Sequence, residues 1–299
     1  MGDFLWDEKS FSALSEYIRF LSDLPDTLVE IEHFSSVFRR SGHVLLPPPD
    51  AQALTRAATD NEGRWRAIVG LVPSLGFVGH RVAEQTATFV REFEQVAQDA
   101  RQPALLGGVD PSRFTPVNFG GRGSNCTWDL MQLIDNLCRW LDQCAELVAR
   151  LKTWVAAVSQ TVHGLFARFI ELLTLRLCTC HGPDPRIEIY YVLGRIILPS
   201  MHYDPGRHYS EAQRKALARA HLQALRGLYV RSTSAGNNIA DLCHRMGYFL
   251  TQVKRELQTN DRHQRLRRAR TSFSQLAYPL AQLNEMAHAL GSTSLRLEP

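Results

Sequence analysis

Residues 125–180 read NCTWDLMQLIDNLCRWLDQCAELVARLKTWVAAVSQTVHGLFARFIELLTLRLCTC, and no proline interrupts the chain between Pro116 and Pro183. Within this stretch Leu130, Ile134, Leu137, Leu141, Cys144, Val148, Leu151, Val155, Val158, Val162, Leu165, Phe169, Leu172 and Leu177 step by three, four or five. That spacing puts them on one face of an α-helix. Charged residues such as Asp135, Arg139, Asp142, Glu146, Arg150 and Lys152 fall mostly between them. One helix over the whole stretch would be about 80 Å long at about 1.5 Å per residue. Its stability must come from packing against other helices, as in a coiled coil or a bundle.

Working outward, a second long helical pattern spans Glu211 to Gln258, through Leu217, Leu222, Leu225, Leu228, Ile239, Leu242, Met246, Phe249, Leu250, Val253 and Leu257. Gly227, Gly236 and Gly247 soften it. Upstream, Phe11, Leu14, Ile18 and Leu21 repeat at helical spacing, and Leu28, Ile31, Phe34, Val37 and Phe38 resume it after Pro25. Pro47-Pro48-Pro49 favours extended backbone, and Asp50 is a plausible N-cap for a helix reaching about Asp99. Pro73, Gly76 and Gly79 are expected to weaken or bend that helix. A last helix is expected from Thr271 to Leu290, kinked or broken near Pro279. The fold class that follows is all-α: an elongated helical bundle with two long antiparallel helices and a shorter N-terminal helical part. The expected organisation is N-terminal helices packing on the bundle over 1–101, a Gly/Pro-rich linker over 102–125, and over 126–299 a long hairpin with an apolar tip near 165–198 and a C-terminal helix.

Composition narrows the function classes. The chain has 299 residues, 44% hydrophobic and 21% charged, with net charge +4. It is too apolar for a disordered chain. It lacks the repeated apolar runs of about 18 residues that a multi-span membrane protein needs. Six cysteines in 299 residues do not make a dense disulfide framework. Cys178-Thr179-Cys180-His181 has no second Cys/His pair at zinc spacing. Cys243 and His244 point about 100° apart on a helix and cannot form a dyad. Gly120-Gly121-Arg122-Gly123-Ser124 lacks the Walker lysine, and no paired carboxylates suggest acid–base chemistry. No enzyme, cofactor, metal or small-molecule substrate is expected. The basic run Asp261–Arg270 spreads its arginines around a helix, which suits a solvated junction better than a nucleic-acid-reading face.

Ile187 to Leu198 stands apart, because nine of its twelve residues are apolar or aromatic. As a helix it would be about 18 Å long, short of the roughly 30 Å hydrocarbon core. One reading is a core segment packed on the long helix. The other is a concealed membrane or partner contact at the tip of the hairpin. That tip comprises Leu165, Phe166, Phe169, Ile170, Leu173, Ile187, Ile189, Tyr190, Tyr191, Val192, Leu193, Ile196, Ile197 and Leu198. Arg168, Glu171 and Arg176 interrupt it, so the helical part is amphipathic rather than transmembrane.

The N-terminal third resembles the alpha-xenorhabdolysin family of binary pore-forming toxins, A-type subunit. The resembling residues are Phe11 and the run Tyr17 to Glu32, with its Leu24-Pro25 turn and Thr27-Leu28-Val29-Glu30 continuation. They continue in Leu45 to Asp50, Trp65-Arg66-Ala67-Ile68 and Phe89. The resemblance covers roughly residues 10–95. It implies a cytolysin A-like α-helical toxin fold with no catalytic residues. It also implies a second, B-type subunit as partner, membrane lipid as a further contact, and homo- or hetero-oligomeric assembly. Gly182, Pro183 and Gly194 are then candidate hinges. Residues Met1 to Lys9 lack a basic region followed by an apolar one, so the expectation is synthesis in the cytoplasm without a signal peptide, then release to act at a target membrane. The alternatives are a non-enzymatic helical scaffold or adaptor, and a nucleic-acid-binding protein using Arg262 to Arg270.

Overall fold

The computed structural model of the chain describes residues 8–38, 48–99, 105–115, 129–178, 191 and 209–295. These form α1 (Glu8–Phe38), α2 (Pro48–Asp99), α3 (Leu130–Cys178), α4 (Glu211–Gln258), α5 (Leu266–Ser274) and α6 (Ala277–Leu295). Leu105 and Arg265 make an isolated antiparallel bridge, and no strand occurs among the described residues. The all-α expectation holds.

α3 and α4 both start at capping boxes. At α3 the Asp129 carboxylate accepts from Gln132 N at 2.9 Å, and the Gln132 side chain accepts from Asp129 N at 3.2 Å. At α4 Ser210 and Gln213 make the same reciprocal pair, at 3.3 and 2.9 Å. Each box satisfies two backbone N–H groups near the helix start. It also explains why α3 begins at Leu130 rather than near Asn125. Periodicity locates the helix, but the cap fixes its first residue.

Pro25 and Pro73 both lie inside continuous helices. The neighbours of each proline are deeply buried: Leu21 and Leu24 in α1, and Val72 and Leu75 in α2, all at 0% exposure. Burial of these faces outweighs a local loss of about 3 kcal/mol per interior proline. Pro279, by contrast, sits in the first turn of α6, where its missing N–H would have had no helical partner. The expected break falls just before it, between α5 and α6.

The chain divides into two compact units. The first is drawn from Gly70–Thr153 and Ala240–Pro299, the second from Asp7–Val69 and Trp154–Ile239. In the first unit α3 and α4 run antiparallel. Asp142 pairs with Lys254 at 2.6 Å, and further along Val148 faces Gly247. α2 and α6 also run antiparallel: His80 Nδ1 lies 2.6 Å from Asn284 Oδ1, and Gly76 lies against Gly291. At the far end of that pair Phe89, Phe93, Phe114 and Phe273 form an aromatic cluster, with Phe93 and Phe273 edge to face at 4.6 Å.

Residues 105–115 are strapped onto this unit. Leu106 N donates to Gln264 O at 2.9 Å and Gly107 N to Arg262 O at 3.1 Å. Arg113 pairs with Asp99 at 2.6 Å, and Thr115 N donates to Glu92 at 2.9 Å. Leu106 and Phe114 are buried.

Gly76 does not weaken α2. It allows the backbone of α6 to approach. A Cβ there would stand 2.7 Å from Gly291 N and 2.9 Å from Ala287 O, and neither backbone atom can swing aside. At Gly63, exposed on the same helix, a Cβ meets nothing within 4 Å. Gly76→Ala is expected to destabilise by about 1–3 kcal/mol through overpacking. Gly63→Ala is expected to stabilise by about 0.5–1 kcal/mol through helix propensity. Urea denaturation of both variants checks the contrast, and equal midpoints would contradict the close helix approach.

Candidate functional site

The second unit holds the described part of the expected tip. Here the far half of α3 is apolar along one face, and α1 covers it. Phe166 sits between Tyr17 and Phe20 of α1, edge to face with both, at ring-centroid distances of 6.2 and 6.0 Å. Tyr17 and Phe20 stack on each other at 6.3 Å. Phe166, Phe169, Ile170 and Leu173 are all buried, while Arg168, Glu171 and Leu175 face outward. α1 is held antiparallel to α4 at two points: Asn238 Nδ2 donates to Ser10 Oγ at 3.3 Å, and Arg231 pairs with Glu16 at 2.9 Å. Both contacts are polar and lie at the rim, and an exposed ion pair adds at most about 1 kcal/mol. The apolar contact beneath supplies most of the adhesion.

Tyr191 is also buried. Its hydroxyl donates to Arg214 O at 2.9 Å, and its ring stands edge-on to His221 at 5.8 Å. These contacts anchor Tyr191 to the first turns of α4. Leu165 lies in α3, and its side chain is outside the described set. Ile187, Ile189, Tyr190, Val192, Leu193, Ile196, Ile197 and Leu198, and the hinge candidates Gly182, Pro183 and Gly194, lie outside the described residues.

A small cavity lies beside the aromatic contact. It has a volume of about 10 Å³ and is lined by Tyr17, Trp65, Val158, Ser159, Ser232, Thr233 and Gly236, so that α1, α2, α3 and α4 all reach it. That is close to the room one water needs. Within it Tyr17 Oη and Trp65 Nε1 have no hydrogen-bond partner among the described residues. Burial, with a smaller push from Tyr229, holds the Tyr17 phenol well above its ordinary range, so the hydroxyl stays neutral. Trp65 packs on Gly236, whose absent Cβ would stand 3.0 Å from the indole.

Among the described residues, the other chemistry-bearing groups do not come together in one cluster. No group of three or more His, Cys, Asp or Glu able to hold a metal occurs among the described residues. Cys138, Cys144 and Cys243 are free and buried. Burial pushes their thiols up to about 11, 12 and 12 respectively. They stay protonated at neutral pH and are poor nucleophiles. Cys243 is buried and His244 exposed, as their adjacency on a helix requires. The basic run forms the α4–α5 junction: Arg262 pairs with Asp129, Leu266, Ala269 and Phe273 face inward, and Arg265, Arg267, Arg268 and Arg270 are exposed. No helix among the described residues is long and apolar enough to cross a membrane.

This arrangement defines an α-helical fold already known in solved structures. The chain is similar to the crystal structure of XaxA from Xenorhabdus nematophila, with a TM-score of 0.66 at 12% identity, covering 98% of this chain and 97% of that one. It is similar to a chain of the XaxAB pore complex from the same organism, with a TM-score of 0.62, 12% identity and 98% coverage of both chains. It is also similar to YaxA from Yersinia enterocolitica, with a TM-score of 0.56, 13% identity and 97% coverage of both. No protein-family model matches the sequence, and no curated protein does. At these identities the likeness establishes the fold. It extends over the whole chain a resemblance that the sequence carried only in residues 10–95.

Two parts of the site escape a reading of the sequence. Tyr17 and Phe20 stand there as part of a motif, with nothing to show that they cover Phe166. Trp65 and Gly236 are far apart in sequence and meet only across the helix contact. The available signal was the inward spacing of Leu14, Tyr17, Leu21, Leu24 and Leu28, which marks α1 as a covering helix.

Phe166→Ala is expected to destabilise by about 3–5 kcal/mol, because it opens a cavity between α1 and α3. Leu175→Ala, at an exposed position, should stay within about 0.5 kcal/mol of wild type. Tyr17→Phe removes an unpaired buried hydroxyl and should be neutral or slightly stabilising. Thermal unfolding of the three variants checks this order, and a large loss in Tyr17→Phe would mean that the hydroxyl is bonded.

Proposed function

We propose that this chain is the A-type member of a binary α-helical pore-forming pair of the alpha-xenorhabdolysin kind, acting with a second subunit at a target membrane. The observation that carries the reading is the full-length likeness to a chain of the XaxAB pore complex, over 98% of both chains. The covered apolar face of α3 adds a physical route. In the structure Phe166, Phe169, Ile170 and Leu173 are buried, with Phe166 packed against Tyr17 and Phe20 of α1. At a membrane, lipid or the B-type subunit would replace the burial lost when α1 moves away. Each large apolar side chain brings roughly 1.5–3 kcal/mol to that exchange. Only a differential interaction of this kind can shift the equilibrium towards the open state.

In this reading the apolar run 187–198 contacts lipid or the partner, and Gly182, Pro183 and Gly194 take up the backbone change. Release from the producing cell precedes action. The chain does no chemistry on a small molecule.

Dye-loaded liposomes, treated with this chain alone and with the long-helical product of a neighbouring gene, test the proposal. Leakage is expected only when both chains are present, with liposome binding by one or both. A stable pair that ignores lipid would instead support a scaffold, and no binding and no leakage in either arm would overturn the pore reading.

A further inference from the structure

The first unit exposes aromatic surface that its core does not use. Tyr248 on α4 and Tyr278 on α6 are 57% and 67% exposed, although large aromatic side chains are usually more buried. Phe249 lies between them. Its ring stands edge to face with Tyr248 at 5.5 Å and 69°, and with Tyr278 at 6.0 Å and 73°. Steeply inclined neighbouring rings make a corner rather than a flat patch. The corner lines a groove of about 350 Å³, completed by His244, Arg245 and Gln282. That volume is at the small end for a ligand site.

The charges around the corner are of both signs. Arg245 Nε donates to Asp241 at 2.8 Å, which leaves the two Nη groups of the guanidinium for an anion. The ring faces carry the negative side of their quadrupole and attract a cation, best a poorly hydrated quaternary ammonium. A ligand carrying an ammonium and a phosphate a few atoms apart would satisfy both ends.

We infer that this groove binds a phosphocholine group, with the ammonium in the Tyr248–Phe249–Tyr278 corner and the phosphate on Arg245. The inference stands apart from the pore reading, since it concerns binding and not leakage. Free phosphocholine and a phosphatidylcholine headgroup share this chemistry, and the test separates them.

Full-length protein is titrated with phosphocholine and with choline by calorimetry, and floated with phosphatidylcholine or phosphatidylglycerol vesicles. Saturable phosphocholine binding is expected. Tyr278→Ala should weaken it about tenfold, the scale of one cation–π contact. Tyr278→Leu, which keeps apolar bulk, should weaken it similarly and guards against a folding defect. Arg245→Gln should weaken phosphocholine but spare choline. Flotation with phosphatidylcholine that is lost in Tyr278→Leu would assign the site to the lipid headgroup. Phosphocholine binding without such flotation would assign it to the soluble ligand. Absence of saturable binding, or equal binding by wild type and all three variants, would overturn the inference.

Discussion

The contact on which the second unit depends is the burial of Phe166 by Tyr17 and Phe20. It joins α1 to α3 through apolar and aromatic surface, while the polar contacts of α1 lie at the rim. Apolar adhesion is strong but indifferent to the identity of the covering group. Another apolar surface could take the place of α1 at the loss of few specific bonds, those of Ser10 with Asn238 and Glu16 with Arg231 among them. The unpaired hydroxyl of Tyr17 and indole N–H of Trp65 weaken the same contact from within, since buried polar groups without partners detract from stability.

The first unit is built on different terms. Gly76 lets α6 come within backbone distance of α2, and Phe93 and Phe273 close the far end of that pair. Residues 105–115 are fixed by backbone bonds to Arg262 and Gln264, so this part of a Gly/Pro-rich segment is ordered onto helices rather than spanning freely between them. The exposed aromatic corner at Tyr248 and Tyr278 sits on this more tightly jointed unit, where ring positions are held by backbone that has little room to shift.

Much of this was legible in the sequence, and the reasons for the rest are specific. The fourteen-residue apolar stripe of α3 and that of α4 gave both long helices, because burial of one helical face imposes a period that polar substitution would destroy. The antiparallel pairing of the two followed from the Pro-rich turn between them. Helix starts were less visible, since Asp129-x-x-Gln132 and Ser210-x-x-Gln213 are short and common patterns whose meaning depends on geometry. Pro73 and Gly76 read as points of weakness or bending because their effect in isolation is unfavourable, whereas in the fold the glycine is a contact and the proline is tolerated by its buried neighbours. The tip residues on α3 read correctly as apolar, but nothing in their spacing said which helix covers them.

The division of the chain has a kinetic side. Neither unit is a continuous piece of sequence: the second needs residues near Tyr17 together with residues near Arg231, and the first needs Gly76 together with Gly291. Many of the contacts between helices therefore close loops of a hundred residues or more, those of Tyr17 with Phe166, Asp142 with Lys254 and Phe93 with Phe273 among them. Chains with such distant contacts fold slowly and keep apolar helix faces open while they wait. During synthesis the first unit cannot close until α6 has emerged. The face of α2 that α6 finally covers is therefore exposed early and for long, and the nascent chain is most adhesive before it is finished.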